Sequence, residues 1–293
     1  MSEARTAPRA VRLAAVMTHH RPEETAEAVQ LLIDAARSAG AELQFDDEEA
    51  AKHDLAGVSS GSGGDDAGRP QPDICFVLGG DGATLRALRA YTGTDVPVFA
   101  INFGRIGFLA TVDRAGLEEG LDRAFGGAFE VAELPAMTVA GKSQSAFAIN
   151  EVSLQRRSHL NVTHLSYSLS DEEIVRAVPC DGLIAATPVG STGYNLSVGG
   201  PIVAWGVHGF AVSLIAPHAL SYRPLVAAPD DELRVTNEGA EPVDVVVDGI
   251  HTGEIGAGES VSITYRPRAV GLAQLPGSSF YGRFREKLLR LTR

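Results

Sequence analysis

Cysteine is almost absent: two residues in 293, Cys75 and Cys180, each in apolar surroundings. Buried free thiols fit that setting better than a disulfide, and a reducing, cytoplasmic compartment follows. No apolar run approaches the about 18 residues that a membrane span needs, and Met1 to Ala10 lacks the apolar region of a signal peptide. Basic residues are few: 25 Lys and Arg stand against 37 Asp and Glu, a formal charge of -12. That balance argues against non-specific binding to nucleic acid or anionic membranes. An anionic ligand would need a local pocket of amides and a few arginines. Metal-ligand clusters are missing too. His159 and His164 share a segment, but no Cys or carboxylate joins them at ligand spacing. Ser191 lacks a Gly-x-Ser-x-Gly context, which argues against a hydrolase nucleophile. Gly104-x-x-Gly107 is half a dinucleotide fingerprint with no acidic residue to close the unit, so a dehydrogenase is a poor reading.

What the chain does have centres on Ile74 to Arg86. Five apolar residues, Ile74 to Leu78, read as a buried parallel strand. Gly79-Gly80-Asp81-Gly82 follows, then helix-period residues Leu85 and Leu88. Glycines allow close approach to a ligand, and the helix start offers unpaired N–H groups suited to phosphate. Asp81, the one non-glycine in the turn, can accept a hydroxyl proton or hold a divalent metal. From these residues alone, a tight turn with Asp81 as a helix cap stays open beside the ligand-binding reading.

The rest of the N-terminal part repeats this alternation. Val11–Met17 and Ala41–Phe45 read as strands around a helix from Glu23 to Ala39 that Gly40 stops. Residues 57–72, rich in Gly, Ser, Asp and Pro, read as a mobile loop, either a cover for a site or a surface insertion. Val96–Asn102 is another buried strand, followed by a second Gly-bearing turn, Phe103–Leu109, and a helix from Arg114 to Phe125. Alternating strands and helices predict a parallel, helix-covered sheet, with both Gly turns at its ligand-binding edge.

Near Ala132 the pattern changes. Leu165, Tyr167 and Leu169 alternate with serines, and Val243, Val245, Val247 and Val261, Ile263, Tyr265 repeat the period. These are antiparallel, half-buried strands. The domain reading is therefore 1–133 α/β, Rossmann-like, with the Gly-Gly-Asp-Gly turn; 134–273 β-rich and dinucleotide-binding; and 274–293 a terminal helix from Phe280 to Leu291 packing back on the body. Inside the β-rich part, Cys180 to Pro201 gathers glycines, hydroxyls and Tyr194. Such a stretch suits ribose, phosphate and a flat base, or is a Ser/Gly loop between strands.

Gly79-Gly80-Asp81-Gly82, Asn150-Glu151, Asp181-Gly182 and Thr187-Pro188-Val189-Gly190-Ser191-Thr192-Gly193-Tyr194, in that order, resemble the NAD kinase family over nearly the whole chain. The first motif alone is shared with 6-phosphofructokinases and with diacylglycerol and sphingosine kinases. The Asp181–Pro201 stretch is the specific one. The resemblance implies an NAD kinase/diacylglycerol kinase-like fold and phosphorylation of the 2′-hydroxyl of the adenosine ribose of NAD. It implies ATP or polyphosphate as donor, with Mg²⁺ or another divalent metal. It implies Asp81 as the catalytic residue, with no residue assigned as a metal ligand. Substrate binding is implied for Gly79 and Gly80, for Gly82 and Arg86 near the dinucleotide, for Asn150 and Glu151 at the adenine-ribose half, and for Asp181 near the nicotinamide. Thr192, Gly193, Tyr194, Asn195, Leu196 and Ser197 match the loop that wraps the dinucleotide. One cleft is expected to gather these residues. The family's usual Thr is Ala83 in the first motif and Val189 in the last, and Pro179 and Ile250 also depart from it. A paralogue acting on another nucleotide or lipid, and a dinucleotide-binding protein without turnover, are the alternatives. A pure binder has no need of a carboxylate at position 81. A homodimer or homotetramer is expected, because apolar faces such as Phe210–Ala216 need covering.

Overall fold

The computed structural model describes residues 5–6, 10–55, 70–104, 107–140, 146–157 and 161–288. Most of the loop expected at 57–72 lies outside the described residues, as do Arg105, Ile106, His159 and the last residues of the expected terminal helix. The chain divides into two compact units, Met1–Glu133 with Val270–Arg293, and Leu134–Ala269.

The first unit is built on a parallel sheet. Its strands are β1 (Leu13–Thr18), β2 (Glu42–Phe45), β3 (Ile74–Gly79) and β4 (Val98–Asn102), in the order β2-β1-β3-β4. Leu272 and Ala273, near the chain's end, add a parallel partner to Val98 and Phe99. All six residues of β3 are buried, as its unbroken apolar run predicts for a central strand. Phe76 meets Phe99 and Phe125 at ring separations of 5.7 and 5.0 Å; burying each such side chain contributes roughly 1.5–3 kcal/mol.

Helix α1 (Ala26–Ala39) buries Ala28, Val29, Leu32 and Ala36 and ends at Gly40, whose φ of 67° is left-handed. A short helix, α2 (Asp47–Lys52), absent from the sequence reading, is capped by Asp46, whose side chain accepts from the Glu49 amide. Helices α3 (Asp81–Ala90) and α4 (Leu117–Phe125) follow β3 and β4. Parallel strands with helical crossovers bring their carboxyl ends to one edge. Here His19 N donates to Leu78 O (2.9 Å) and Phe103 N to Gly79 O (3.0 Å).

In the second unit two antiparallel layers share one core. The chain enters along β5 (Glu130–Ala140) and continues through β6 (Glu151–Arg156), β7 (Thr163–Leu169), β8 (Glu172–Cys180), β9 (Gly182–Ala186), β10 (Phe210–Ile215), β11 (Leu225–Ala227), β12 (Glu232–Asn237), β13 (Val243–Val247), β14 (Ile250–Ile255) and β15 (Ser260–Gln274). A six-stranded sheet runs β11-β10-β9-β6-β13-β14, and β8-β7-β12-β15 form the facing ladder. Leu165, Tyr167, Val235 and Ile263 from the ladder pack against Leu154, Leu183, Val212 and Val245 from the sheet. Alternation along β9 sends Leu183 and Ala185 into this core and Ile184 and Ala186 to the opposite face, where Val203 covers them.

The expectation for Phe210–Ala216 is corrected. Phe210–Ile215 is an interior strand paired on both sides, with β9 and β11, and Phe210 to Leu214 are buried within the unit.

Candidate active site

In the first unit the two Gly-bearing turns lie against each other. A Cβ on Gly104 would stand 3.1 Å from Gly80 Cα. Asn102, the last residue of β4, accepts the Gly104 amide on Oδ1 at 2.9 Å. Gly107 packs on the same side chain: its φ is +61°, and a Cβ there would fall 2.2 Å from Asn102 Cγ. Asp81 opens α3 behind Gly80. Its carboxylate spans to the second turn, Oδ2 accepting from Phe108 N at 2.9 Å and Oδ1 from Leu109 N at 3.0 Å. Gly82 is exposed, and a Cβ there would meet nothing within 4 Å. Bare backbone therefore stands open to a ligand next to an oriented carboxylate. Thr84 does not supply the hydroxyl missing at Ala83, since its Oγ1 donates to Gly80 O (3.1 Å) and it is buried.

The C-terminal segment of the same unit backs this turn. The Phe280 ring meets Phe108 edge-on at 6.1 Å. Arg283 is 7% exposed. Both its Nη atoms reach the Gln274 side-chain oxygen at 3.1 Å when that amide is oriented by the network. Burial brings its pKa down to about 10, against the attraction of Asp81. Arg86, which the family resemblance places near the dinucleotide, donates to Thr18 O (2.9 Å) and to Glu49 Oε1 (3.0 Å). Beside the second turn lies a cleft of about 510 Å³ lined by Glu23, Glu24, Asn102, Phe103, Gly104, Asp113, Arg114 and Ala115.

In the second unit Asn150 and Glu151 sit where the 187–203 segment packs. Thr187 N donates to Asn150 O at 2.9 Å, and Thr187 Oγ1 to Ile149 O at 2.6 Å. Gly190 lies on Asn150 so closely that a Cβ would stand 2.1 Å from its carbonyl oxygen. A Cβ on Gly193 would be 3.6 Å from Glu151 Oε2, a buried oxygen with no hydrogen-bond partner among the described residues. Burial, reinforced by the Asp248 carboxylate, pushes Glu151 up to about 7. Tyr194 is 37% exposed and feels both Asp181 and Glu151; burial first and these charges second raise its pKa. Asp181 is held by Arg156, Nε to Oδ1 at 2.5 Å.

Asn150, Glu151, Gly193, Tyr194 and Asp181 are thus brought together. Thr192 Oγ1 turns back to Val189 O (3.2 Å), while Leu196 is half-buried and Ser197 exposed. Asn195 is fully buried: Nδ2 donates to Ser191 O and Pro201 O, and Oδ1 accepts from Ser213. Its side chain shapes the loop from inside and offers no atom to a ligand.

The sequence from 65 to 129 matches the family model described as the ATP-NAD kinase N-terminal domain, and 149 to 275 the ATP-NAD kinase C-terminal domain. The chain is 36% identical over 224 residues to the NAD kinase of Gemmatimonas aurantiaca, covering 74% of this chain and 77% of that one. It is 35% identical over 223 residues to that of Thermomicrobium roseum, covering 74% and 76%. The chain belongs to the NAD kinase family. A crystal structure of yeast NADH kinase complexed with NADH is similar with a TM-score of 0.85, over 96% of this chain and 88% of that one; at 22% identity the likeness is one of fold.

Sequence reasoning assigned no role to Arg156, which holds Asp181, or to Asp248. Asp248 accepts three amides, Ile149 N at 2.9 Å on Oδ2 and Asn150 N and Glu151 N at 2.8 and 3.1 Å on Oδ1. Its signal was present: Asp248-Gly249 between Val247 and Ile250 is a two-residue hairpin loop, and both residues have positive φ (45° and 79°).

Proposed function

We propose that this NAD kinase family member transfers the terminal phosphoryl group of ATP, or of polyphosphate, to the 2′-hydroxyl of the adenosine ribose of NAD, giving NADP. The observation that carries the reading is the Asp81 carboxylate, fixed by the Phe108 and Leu109 amides beside the open backbone of Gly82. Each carboxylate oxygen has about two acceptor positions, so one amide leaves room for a hydroxyl proton. Asp81 orients the attacking hydroxyl and takes its proton, an effect typically worth about 10²–10⁴ in rate. The α3 N-terminus and the glycine amides supply positioning and partial positive charge.

Among the described residues no group of three or more His, Cys, Asp or Glu side chains could hold a metal ion. That donor set fits a cation that arrives on the donor phosphates and keeps most of its waters, with Asp81 as the protein carboxylate nearest the reaction. When bound, Mg²⁺ or a similar ion would neutralise charge on the transferring phosphates. In the second unit, Asn150, Glu151, Asp181 and Tyr194 bind the dinucleotide, with Gly193 and the 194–197 backbone shaping that surface. Burial raises Cys75 to about 12 and Cys180 to about 11, and neither is in a disulfide. Inert thiols of this kind support a cytoplasmic enzyme. No helix among the described residues is long and apolar enough to cross a membrane.

The test is NADP formation from NAD with ATP, and separately with polyphosphate, in the presence of Mg²⁺. Absence of NADP with both donors overturns the reading. Two or four copies associate in this proposal, supported by the short β11 at the edge of the six-stranded sheet, where Val226 is 48% exposed, and by Leu220, which is fully exposed. Light scattering at micromolar concentration checks it; a mass near 30.7 kDa with full activity contradicts it.

A further inference from the structure

Arg156 closes strand β6 at the end opposite Glu151. Its backbone amide donates to Asp181 O at 3.0 Å, and its Nε donates to Asp181 Oδ1 at 2.5 Å. Its Nη1 turns to Arg157 O at 3.3 Å. Asp181 is anchored on its other side, its N donating to Ile215 O at 2.9 Å. Gly182 lets the chain pass close behind it, since a Cβ there would stand 2.1 Å from Leu154 O. Carboxylate and guanidinium are thus both placed by backbone pairing. Their side chains are 27% (Arg156) and 36% (Asp181) accessible, and an ion pair at that exposure adds little to stability. What the pair changes is the local charge. No other cation of this segment takes the same place: Arg157 is held by Asp244 and Glu254, and Pro179, two residues before Asp181, brings no charge. The Asp181 charge also reaches the ligand surface. Tyr194, the exposed aromatic of that surface, has its hydroxyl pKa raised first by burial, then by Asp181, and only then by Glu151.

We propose that Arg156 acts through Asp181 as a positioning residue that sets specificity: it holds the carboxylate and cancels its charge, so that the site takes the oxidised and the reduced nicotinamide alike. This rests on the dinucleotide-binding reading, in which Asp181 lies near the nicotinamide. The two redox forms differ there by one charge, since the oxidised ring is a cation and the reduced ring is neutral. A bare carboxylate beside the ring favours the cation. A carboxylate shared with a guanidinium presents almost no net charge, and the preference disappears.

The test measures the Kd of NAD and of NADH by calorimetry, without a phosphoryl donor, with thermal unfolding alongside. It compares the parent with Arg156→Gln, Arg156→Lys, Asp181→Asn and the double variant Arg156→Gln, Asp181→Asn. The readout is the ratio of the two Kd values within each protein, which a general loss of affinity or of stability does not move. The parent and Arg156→Lys, which keeps the charge, should bind the two forms within about twofold of each other. Arg156→Gln should favour NAD over NADH by about fivefold, the scale of one charge pair near a protein surface. Asp181→Asn leaves the guanidinium uncompensated and should favour NADH. The double variant carries neither charge and should return to the parent's ratio. Arg156→Gln with the parent's ratio overturns the proposal, and a lowered melting temperature beside it assigns Arg156 a structural role only. A double variant that keeps the preference of Arg156→Gln overturns it as well, because the preference then does not come from Asp181. The ratios decide the proposal even if the parent forms no NADP. A parent that binds neither nucleotide overturns the dinucleotide reading itself, and this proposal with it.

Discussion

Asp81 Oδ2 accepts the backbone amide of Phe108 at 2.9 Å across 27 residues of sequence, so the carboxylate proposed for chemistry is also the tie between the two glycine turns. Asp81→Asn should therefore do two things. An amide in place of the carboxylate faces one of its two backbone donors with an N–H, and a lost buried hydrogen bond costs about 1–3 kcal/mol. The melting temperature should fall, and kcat should fall by at least about 10². The KM for NAD should stay within a few-fold. A variant that keeps most of its kcat contradicts the catalytic role of Asp81.

Glu151 makes stability depend on pH. Its carboxyl is raised from 4.5 to about 7, first by burial and then by Asp248. A carboxyl whose pKa is higher folded than unfolded binds its proton more tightly in the native state. Its contribution is fully present below pH 4.5 and is lost as pH rises through about 7. Glu151→Gln should remove that loss, so its melting temperature relative to the parent should rise between pH 5 and pH 8. Parallel melting curves of the two proteins across this window would refute the assignment. Asp248→Asn, which removes the second cause, should move the parent's transition toward lower pH.

Gly107→Ala tests the packing of the second turn. The left-handed conformation costs a non-glycine residue about 1–2 kcal/mol, and the new Cβ would stand 2.2 Å from Asn102 Cγ. Asn102 must then release the Gly104 amide. We expect a lower melting temperature together with a reduced kcat, because the amides that orient Asp81 belong to the same turn. Unchanged melting and unchanged kcat would show that the turn adapts freely.

Asp248→Ala leaves the amides of Ile149, Asn150 and Glu151 without their shared acceptor. The variant should bind NAD at least about tenfold more weakly, while its ATP binding stays close to the parent's. Calorimetry with each nucleotide separates the two. Equal NAD affinity would make Asp248 a hairpin residue only.

Much of the architecture was legible because it is written in local patterns. The unbroken apolar run before Gly79 announces a strand buried on both faces, and the change at Ala132 from helical spacing to alternation announces the β-rich part. The Phe210–Ile215 segment shows the limit of such reading. Its apolar character was visible, but the sheet neighbours that bury it, β9 and β11, are set by strand order. Helix α2 was missed because its six residues carry too little periodicity to stand out.

The sequence by itself determined the residue types of the proposed site: a carboxylate among glycines at the end of a buried strand, and the Asn150-Glu151 and Asp181–Tyr194 motifs. Tertiary structure alone decided how those side chains are used. Asn195, matched to a binding loop, turns inward, where Ser191 O and Pro201 O take both of its N–H groups and the Ser213 hydroxyl donates to its oxygen. Asp248 reaches Ile149, Asn150 and Glu151 from 97 to 99 positions away. Glu49 and Arg86 meet across 37 residues. A local pattern encodes periodicity and turn chemistry. Pairings between distant segments depend on register and packing, which exist only once the chain has folded.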